Sequence, residues 1–413
     1  MARCTLTLLG TDVLLLGLAR GRPNNAVLVV ECEGRLDSDA LEAAVRAVAP
    51  IAPFMTGRIE RPFPWGRLRW VAGDGAPPVE RRQVADERAL EALVDELLGA
   101  PIDPYVGPVL RWIAVQEAGE ARSWLILAWL HPLMDPRGAE LLVAMVDALD
   151  RGGSAEAWAR ERLVVAPPDV RPWRERMAIT RRSLDELRAL GRLAPRSLGR
   201  DVTAPGRVRH RRIAVPVAEA RQLPATLALV AECVADLFRA RGLPAGLPLV
   251  VPISVDRRRK GEPGPVFGNY LSFHFARIVP SGDVAATAAA IRRDMAEAVR
   301  SDVIEGLWVA MNFGRYYPPA ALLRPMGEGD GSSFNCADTG DVRPALDRVL
   351  GCRVAGAYHA PCVQPRPGLG IFFCRAAGRE SIVAVWVEGV VTEREVDALL
   401  GDLGRAVSAA RAA

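Results

Sequence analysis

The apolar run from Trp124 to Leu130 stands out against the mixed pattern around it, and it stops abruptly at His131. It is long enough for a strand buried on both faces and too short to span a membrane. Asp135 then precedes Pro136, and Leu141, Leu142, Met145, Val146 and Leu149 recur at helical spacing. That order predicts a helix with Asp135 as its N-cap and a proline as its first residue. A histidine is left at the end of a buried strand, beside a helix start.

The same reading predicts elements along the rest of the chain. A strand over Ala26 to Cys32 turns at Glu33 and Gly34 into a helix capped by Asp37 or Ser38, with Leu41, Ala44, Val45 and Val48 as its core stripe. Arg67 to Val71 is a candidate strand, Asp86 to Leu98 an amphipathic helix, and Leu110 to Val115 a strand that should pair beside Trp124 to Leu130. From Arg151 to about Gly206 charge and proline increase around one helical pattern, Arg182 to Leu193, that is basic on its outer face. That face is either solvated or a dock for an acidic partner. The second half predicts strands at Val208 to Val215, Pro248 to Val255 and Ser381 to Val387, with helices at Leu223 to Arg241, Val284 to Val299 and Thr392 to Val407. Thr392 and Glu395 have the spacing of a capping box. Glu388 and Gly389 echo Glu33 and Gly34, each pair standing between a strand and a capped helix.

With 413 residues the chain exceeds the size at which one core keeps growing, so two domains are expected. The pattern divides it into a first unit over 1–165, a crossover over 166–206 and a second unit over 207–413. The formal charge is only +4, and the basic residues are scattered and almost all arginine, Lys260 being the exception. Nucleic-acid binding would need them clustered with aromatics, so none is expected. Seven cysteines without a CxxC pair suggest reduced thiols of a cytoplasmic protein. Val13 to Leu18 is too short for a membrane span, follows Asp12 and precedes no small-residue cleavage site, so neither a signal peptide nor a transmembrane helix is expected. No P-loop, GxGxxG or GxSxG stands in a context that would support a nucleotide-binding or hydrolase fold.

Four segments in order, GRLDSDALEAAVRAVAPIAPFMTGRI, PIDPYVGPVLRWIAV, LAWLHPLMDPRG, and VPISVDRRR with FGNYLSF, carry a resemblance across most of the chain. Together they resemble the chloramphenicol acetyltransferase-like superfamily of thioester-dependent acyltransferases, with its HxxxD core at His131 and Asp135. Condensation domains of nonribosomal peptide synthetases, polyketide-associated acyltransferases, wax ester synthases and the plant BAHD enzymes belong to it. The resemblance implies an α/β (α+β) chain of two subdomains, each a mixed sheet flanked by helices, in a V around a central tunnel. It also implies an acyl group moving from coenzyme A or a phosphopantetheine carrier protein to a hydroxyl or amine of a small molecule. The thioester is then a co-substrate, and neither a bound cofactor nor a metal is expected. Imidazole titrates near neutrality and can take the acceptor's proton and return it to the departing thiolate, so His131 would act as general base without a covalent intermediate.

The remaining site residues follow from the same resemblance. Asp135 would pair with an arginine of the second half, or serve as the helix N-cap, or both. The family position for that arginine falls on Asp256, which makes Arg257 the nearest candidate and Arg258 the fallback. Phe267, Gly268 and Asn269 correspond to a tunnel-lining segment, or to a plain turn. Ser332, Ser333 and Asn335 correspond to a loop whose hydroxyl or amide could donate to the oxyanion, or to an ordinary turn. Leu130 and Pro136 depart from the family pattern, which has histidine and glycine there, and Gly138 could compensate for the missing glycine. No DFGWG-like segment is present, which argues against the plant branch. The departures also admit a second reading, a catalytically silent domain that recruits a carrier protein or a synthetase. His274 reads as structural, and Cys352, His359, Cys362 and Cys374 match no zinc spacing.

Overall fold

The computed structural model describes residues 4–19, 22–63, 66–119, 122–154, 171–192, 197–199, 206–217, 222–243, 246, 248–258, 264–316, 331–342 and 346–409. Its elements in the first half are β1 (Thr5–Thr7), α1 (Gly10–Leu18), β2 (Asn25–Glu33), α2 (Ser38–Val48), β3 (Arg58–Glu60), β4 (Arg69–Val71), β5 (Val79–Val84), α3 (Glu87–Gly99), β6 (Leu110–Glu117), β7 (Arg122–Leu130) and α4 (Pro136–Asp150). There follow α5 (Trp173–Arg192), β8 (Val208–Pro216), α6 (Leu223–Ala240), β9 (Leu249–Asp256), β10 (Leu271–Ile278), α7 (Val284–Arg300) and α8 (Val303–Gly314). The last are β11 (Asn335–Asp341), β12 (Arg348–Val349), β13 (Cys352–Pro361), β14 (Leu369–Ala376), β15 (Arg379–Val387) and α9 (Glu393–Ala409).

Two mixed sheets form the frame. One has six strands in the order β12-β13-β2-β7-β6-β5, with β5 and β6 parallel and the other pairs antiparallel. The other has four in the order β11-β14-β15-β8, with β11 and β14 parallel. β9 and β10 form a separate antiparallel pair. β7 is interior, and every residue from Ser123 to Leu130 is buried, as a continuous apolar run demands of a strand covered on both faces. β12 and β13 come from the second half of the chain yet extend the first-half sheet, so the sheets do not divide where the sequence pattern does.

Several elements lie beyond the sequence reading. α1 buries Gly10 to Val13, Leu16 and Gly17, and a Cβ on Gly10 would stand 2.1 Å from the Met311 backbone of α8, so the two helices meet closely there. α5 begins nine residues before the expected helix, at Trp173, and ends at Arg192, Leu193 lying outside the described residues. Its inner face packs on α8 through Ile179 and Ser183, whose Oγ donates to the Val303 carbonyl at 2.7 Å. Lys260 and part of the glycine-rich stretch before Ser332 also lie outside the described residues. Among the described residues no helix is long and apolar enough to cross a membrane.

Candidate functional site

His131 follows directly on β7, and the loop it opens is gripped from several sides. Its N–H donates to the Asn24 carbonyl at 2.9 Å, and the Trp129 indole donates to the Met134 carbonyl at 2.8 Å. From the second half, the Gly268 N–H donates to the Leu133 carbonyl at 2.8 Å, and the Asn269 amide donates to the His131 carbonyl at 3.0 Å. Asn269 is fully buried and is itself held by Asp12, whose Oδ1 accepts from its backbone N–H and its side-chain amide, both at 2.8 Å. Burial pushes the Asp12 carboxyl up to about 7 against these hydrogen bonds.

Asp135 is the second fixed point. Its Oδ1 caps α4 by accepting from the Gly138 N–H at 2.9 Å, and its Oδ2 accepts from the Tyr270 N–H at 3.1 Å. Arg258 closes a two-pronged ion pair on it, Nη1 to Oδ2 at 2.9 Å and Nη2 to Oδ1 at 3.0 Å, with both side chains buried. Arg257, the nearer sequence candidate, does not reach Asp135. Its backbone N–H continues the ladder to the Tyr270 carbonyl at 2.9 Å, so its side chain leaves on the opposite face, stacks over Trp308 and pairs with Glu305. Asp135 is therefore cap and ion-pair partner at once.

The sequence-derived candidates for lining or oxyanion roles separate sharply. Gly138 is not open to the cavity as a donor: its N–H is spent on Asp135, and a Cβ there would sit 2.0 Å from the Val266 carbonyl, so glycine admits the second-half loop. Ser333 is fully buried and its hydroxyl accepts from the Val250 N–H at 3.0 Å. Asn269 spends its amide on Asp12 and the His131 carbonyl. Phe267 is buried edge-on against Phe54, and Gly268 sits at φ 95°, where other residues are strained. Asn335 is different, since it lines the cavity and its side-chain amide has no hydrogen-bond partner among the described residues. Pro136 fits as the first residue of α4, and Leu130 belongs to the core. His274 pairs with Asp294 at 2.6 Å.

That cavity, about 560 Å³, has His131 on its wall together with Asp135, Pro136, Ser332 and Asn335. Leu14, Leu18, Ile253, Leu271, Phe273 and Phe275 give it an apolar side. Three solved structures share this architecture end to end. A variant of the starter condensation domain of rhizomide synthetase, in complex with C8-CoA and Leu-SNAC, superposes with a TM-score of 0.68 at 16% identity, over 99% of this chain and 95% of that one. The first condensation domain of the calcium-dependent antibiotic synthetase, in complex with a substrate analogue, gives 0.67 at 16% identity, over 98% and 96%. The condensation domain of the Monacolin K polyketide synthase MokA gives 0.60 at 13% identity, over 99% and 97%. The chain has the condensation-domain fold. No protein-family model and no curated protein matches it.

Within this condensation fold His131 is half-buried, and among the described residues its buried Nδ1 has no partner that meets hydrogen-bond geometry. Burial drives its pKa below the ordinary histidine value, and the nearby His359 pushes the same way, while its own carbonyl, Asp135 and Asn269 oppose. Burial thus favours the neutral ring, the form that can accept a proton. Sequence reasoning missed Asp12 and Asn24, although Asp12 is the lone charge in an apolar stretch. It weighed His359 only as part of a metal set with Cys352, Cys362 and Cys374; His359 lines the same cavity, and the thiols of Cys362 and Cys374, which line it too, are pushed up to about 12 by burial.

Proposed function

We propose that this chain is an acyltransferase that moves an acyl group from a phosphopantetheine thioester, on coenzyme A or a carrier protein, to a hydroxyl or amine of a small molecule. The observation that carries the reading is His131 on the wall of an apolar-sided cavity, in a loop pinned by Asn269 and Arg258 from the second half. The shared fold with condensation domains that hold C8-CoA and Leu-SNAC supports the substrate class. His131 takes the proton of the acceptor as its oxygen or nitrogen attacks the thioester carbonyl, and returns it to the thiolate when the tetrahedral intermediate collapses. Proton and acyl group are both accounted for, and no enzyme nucleophile is consumed. Asp135 and Arg258 hold the loop that carries His131. Asn335 is the candidate donor to the oxyanion, because it lines the cavity with His131, whereas Gly138 and Asn269 spend their N–H groups on Asp135, Asp12 and the His131 carbonyl.

Thiol release from a panel of acyl-coenzyme A and acyl-carrier thioesters, with simple amine and alcohol acceptors, tests the reading. The wild type should release thiol and His131→Ala should not. Equal behaviour of the two proteins, with a carrier or synthetase binding both, would replace transfer by recruitment.

A further inference from the structure

β9 and β10 run antiparallel, with Asp256 opposite Leu271, Ser254 opposite Phe273 and Pro252 opposite Phe275. Residues opposed across the pair share a face, and so do residues two apart along each strand. All six line the His131 cavity, while Val251, Ser272 and Ala276 on the other face are buried in the core. One face of this ribbon is therefore a strip of the cavity wall. It presents Phe275, Phe273 and Leu271 along one strand and ends at Asp256 on the other, with the Pro252 and Phe275 rung roughly 13 Å away.

Three carboxylates line the cavity, and two of them are spent. Asp135 is 1% exposed and is held by two backbone N–H groups and Arg258. Asp338 is 7% exposed, accepts from the Gly340 N–H at 2.8 Å and pairs with Arg375 at 3.4 Å. Asp256 differs, with a side chain 42% exposed. Its Oδ1 accepts from the Arg258 N–H at 2.9 Å and from Arg258 Nη1 at 3.2 Å, and its Oδ2 has no hydrogen-bond partner among the described residues. The same Nη1 stands 2.9 Å from Asp135 Oδ2, which sets Asp256 beside the His131 loop. One guanidinium between two carboxylates leaves a negative charge in excess, and Asp256 is the member of the pair that is open to the cavity. The wall supplies no cation to match it. Arg137 is spent on Glu140 and on the Thr339 and Asp341 carbonyls, and Arg366 does not pair with Asp256. An ammonium group is a compact donor that can meet the exposed oxygen of such a carboxylate, and an apolar body attached to it would lie on the leucine and phenylalanine strip.

We propose that Asp256 recognises a primary ammonium group of a substrate whose apolar body lies along Leu271, Phe273 and Phe275. The proposal rests on the transfer reading for the identity of the cavity's occupants. The ammonium can belong to the acceptor or to the acyl group, and paired probes distinguish the two. Hexylammonium and hexanol vary the acceptor. The 3-aminohexanoyl and hexanoyl thioesters of N-acetylcysteamine vary the donor, with the ammonium close to the thioester because Asp256 adjoins the His131 loop.

Binding to the wild type is measured by calorimetry with one probe in each sample, so no acyl group is transferred. In at least one pair the ammonium member should bind about 10-fold tighter at low ionic strength, and the preference should shrink as salt is added. Asp256→Asn keeps an oxygen for the Arg258 N–H but removes the charge, and should bind both members alike, with circular dichroism confirming the fold. Ser254→Lys sets a cation of the protein's own on the same face two residues away, and should abolish the preference as well. Phe273→Ala should weaken both members by a similar factor, because it removes apolar wall and no charge. Equal binding within both pairs, binding of no probe, a preference that survives Asp256→Asn or Ser254→Lys, or affinities untouched by Phe273→Ala would each overturn the proposal. Turnover with a thioester and an acceptor together reads the parent hypothesis separately. A protein that transfers acyl groups without preferring the ammonium probes loses only the Asp256 site, and one that prefers them without transferring keeps the site and loses the transferase reading.

Discussion

His210 and His131 stand in the same chain with opposite surroundings. His210 is 2% exposed, stacked on Tyr358, hydrogen-bonded through both nitrogens and paired with Asp95, which also accepts from the His210 N–H at 2.8 Å. It ties α3 of the first half to β8 of the second. His131 has its backbone held on both sides while its ring is left without a firm partner at the edge of a cavity. A histidine whose nitrogens are spent contributes to stability, and one whose backbone is fixed and whose ring is unspent is prepared for chemistry.

The comparison breaks most readily at His131. His131→Ala should lower thiol release by about 100- to 10,000-fold, the range for losing a general base. It should change unfolding free energy by less than about 1 kcal/mol, because the ring has no hydrogen-bond partner to strand. In the wild type, the acid limb of kcat/KM should have its midpoint below the ordinary histidine value, since burial favours the neutral ring. A limb displaced upward would mean that the anions nearby outweigh burial.

The loop's anchor comes next. Arg258→Ala leaves Asp135, 1% exposed, with two backbone donors and no counter-charge, and should cost about 3–5 kcal/mol in urea denaturation. Arg258→Lys keeps the charge but cannot match both oxygens, so it should recover part of the stability. If Arg258 only positions His131, kcat of the lysine variant should fall while KM stays near wild type.

How legible this was in the sequence differs from element to element. β7 and α4 were readable because an uninterrupted apolar run and an Asp-Pro cap are strong local signals, and the structure places them at Arg122–Leu130 and Pro136–Asp150. Of the two arginines considered, it is the fallback that pairs, since the ladder extends past Asp256 to Arg257 and alternation turns Arg258, not Arg257, toward Asp135. β13 was missed: Gly356 and a register shift interrupt its pattern, and its partner β2 lies more than 300 residues away in the chain. Gly138, Ser333 and Asn269 have suitable chemistry by type, but Gly138 donates to the Asp135 cap, the Ser333 hydroxyl accepts from the Val250 N–H and the Asn269 amide donates to Asp12, the last two being partners in distant segments that no spacing reveals.

At the other pole of the comparison, His210→Ala should cost about 2–3 kcal/mol through the lost ring packing and the weakened hold on Asp95. Thiol release per folded molecule should stay within about twofold of wild type, since His210 is not on the cavity wall. A large loss of rate with stability intact would dissolve the distinction between the two histidines.

The finest test lies in Asp12, which reaches the His131 loop only through Asn269. Its carboxyl is raised to about 7 by burial, and Asp135 adds to the rise against the hydrogen bonds from Asn269 and Leu9. A carboxyl raised in the folded state binds more protons folded than unfolded, so its contribution is present at low pH and is lost as pH rises toward and through 7. Asp12→Asn imitates the protonated form and lacks that titration. The stability of the wild type relative to the variant should therefore fall by about 1.4 kcal/mol between about pH 6 and about pH 8, measured by urea unfolding of both proteins. A difference that is flat over this interval would show Asp12 ionised throughout, and the Asn269 amide would then be held by a full charge rather than by a group that titrates beside the His131 loop.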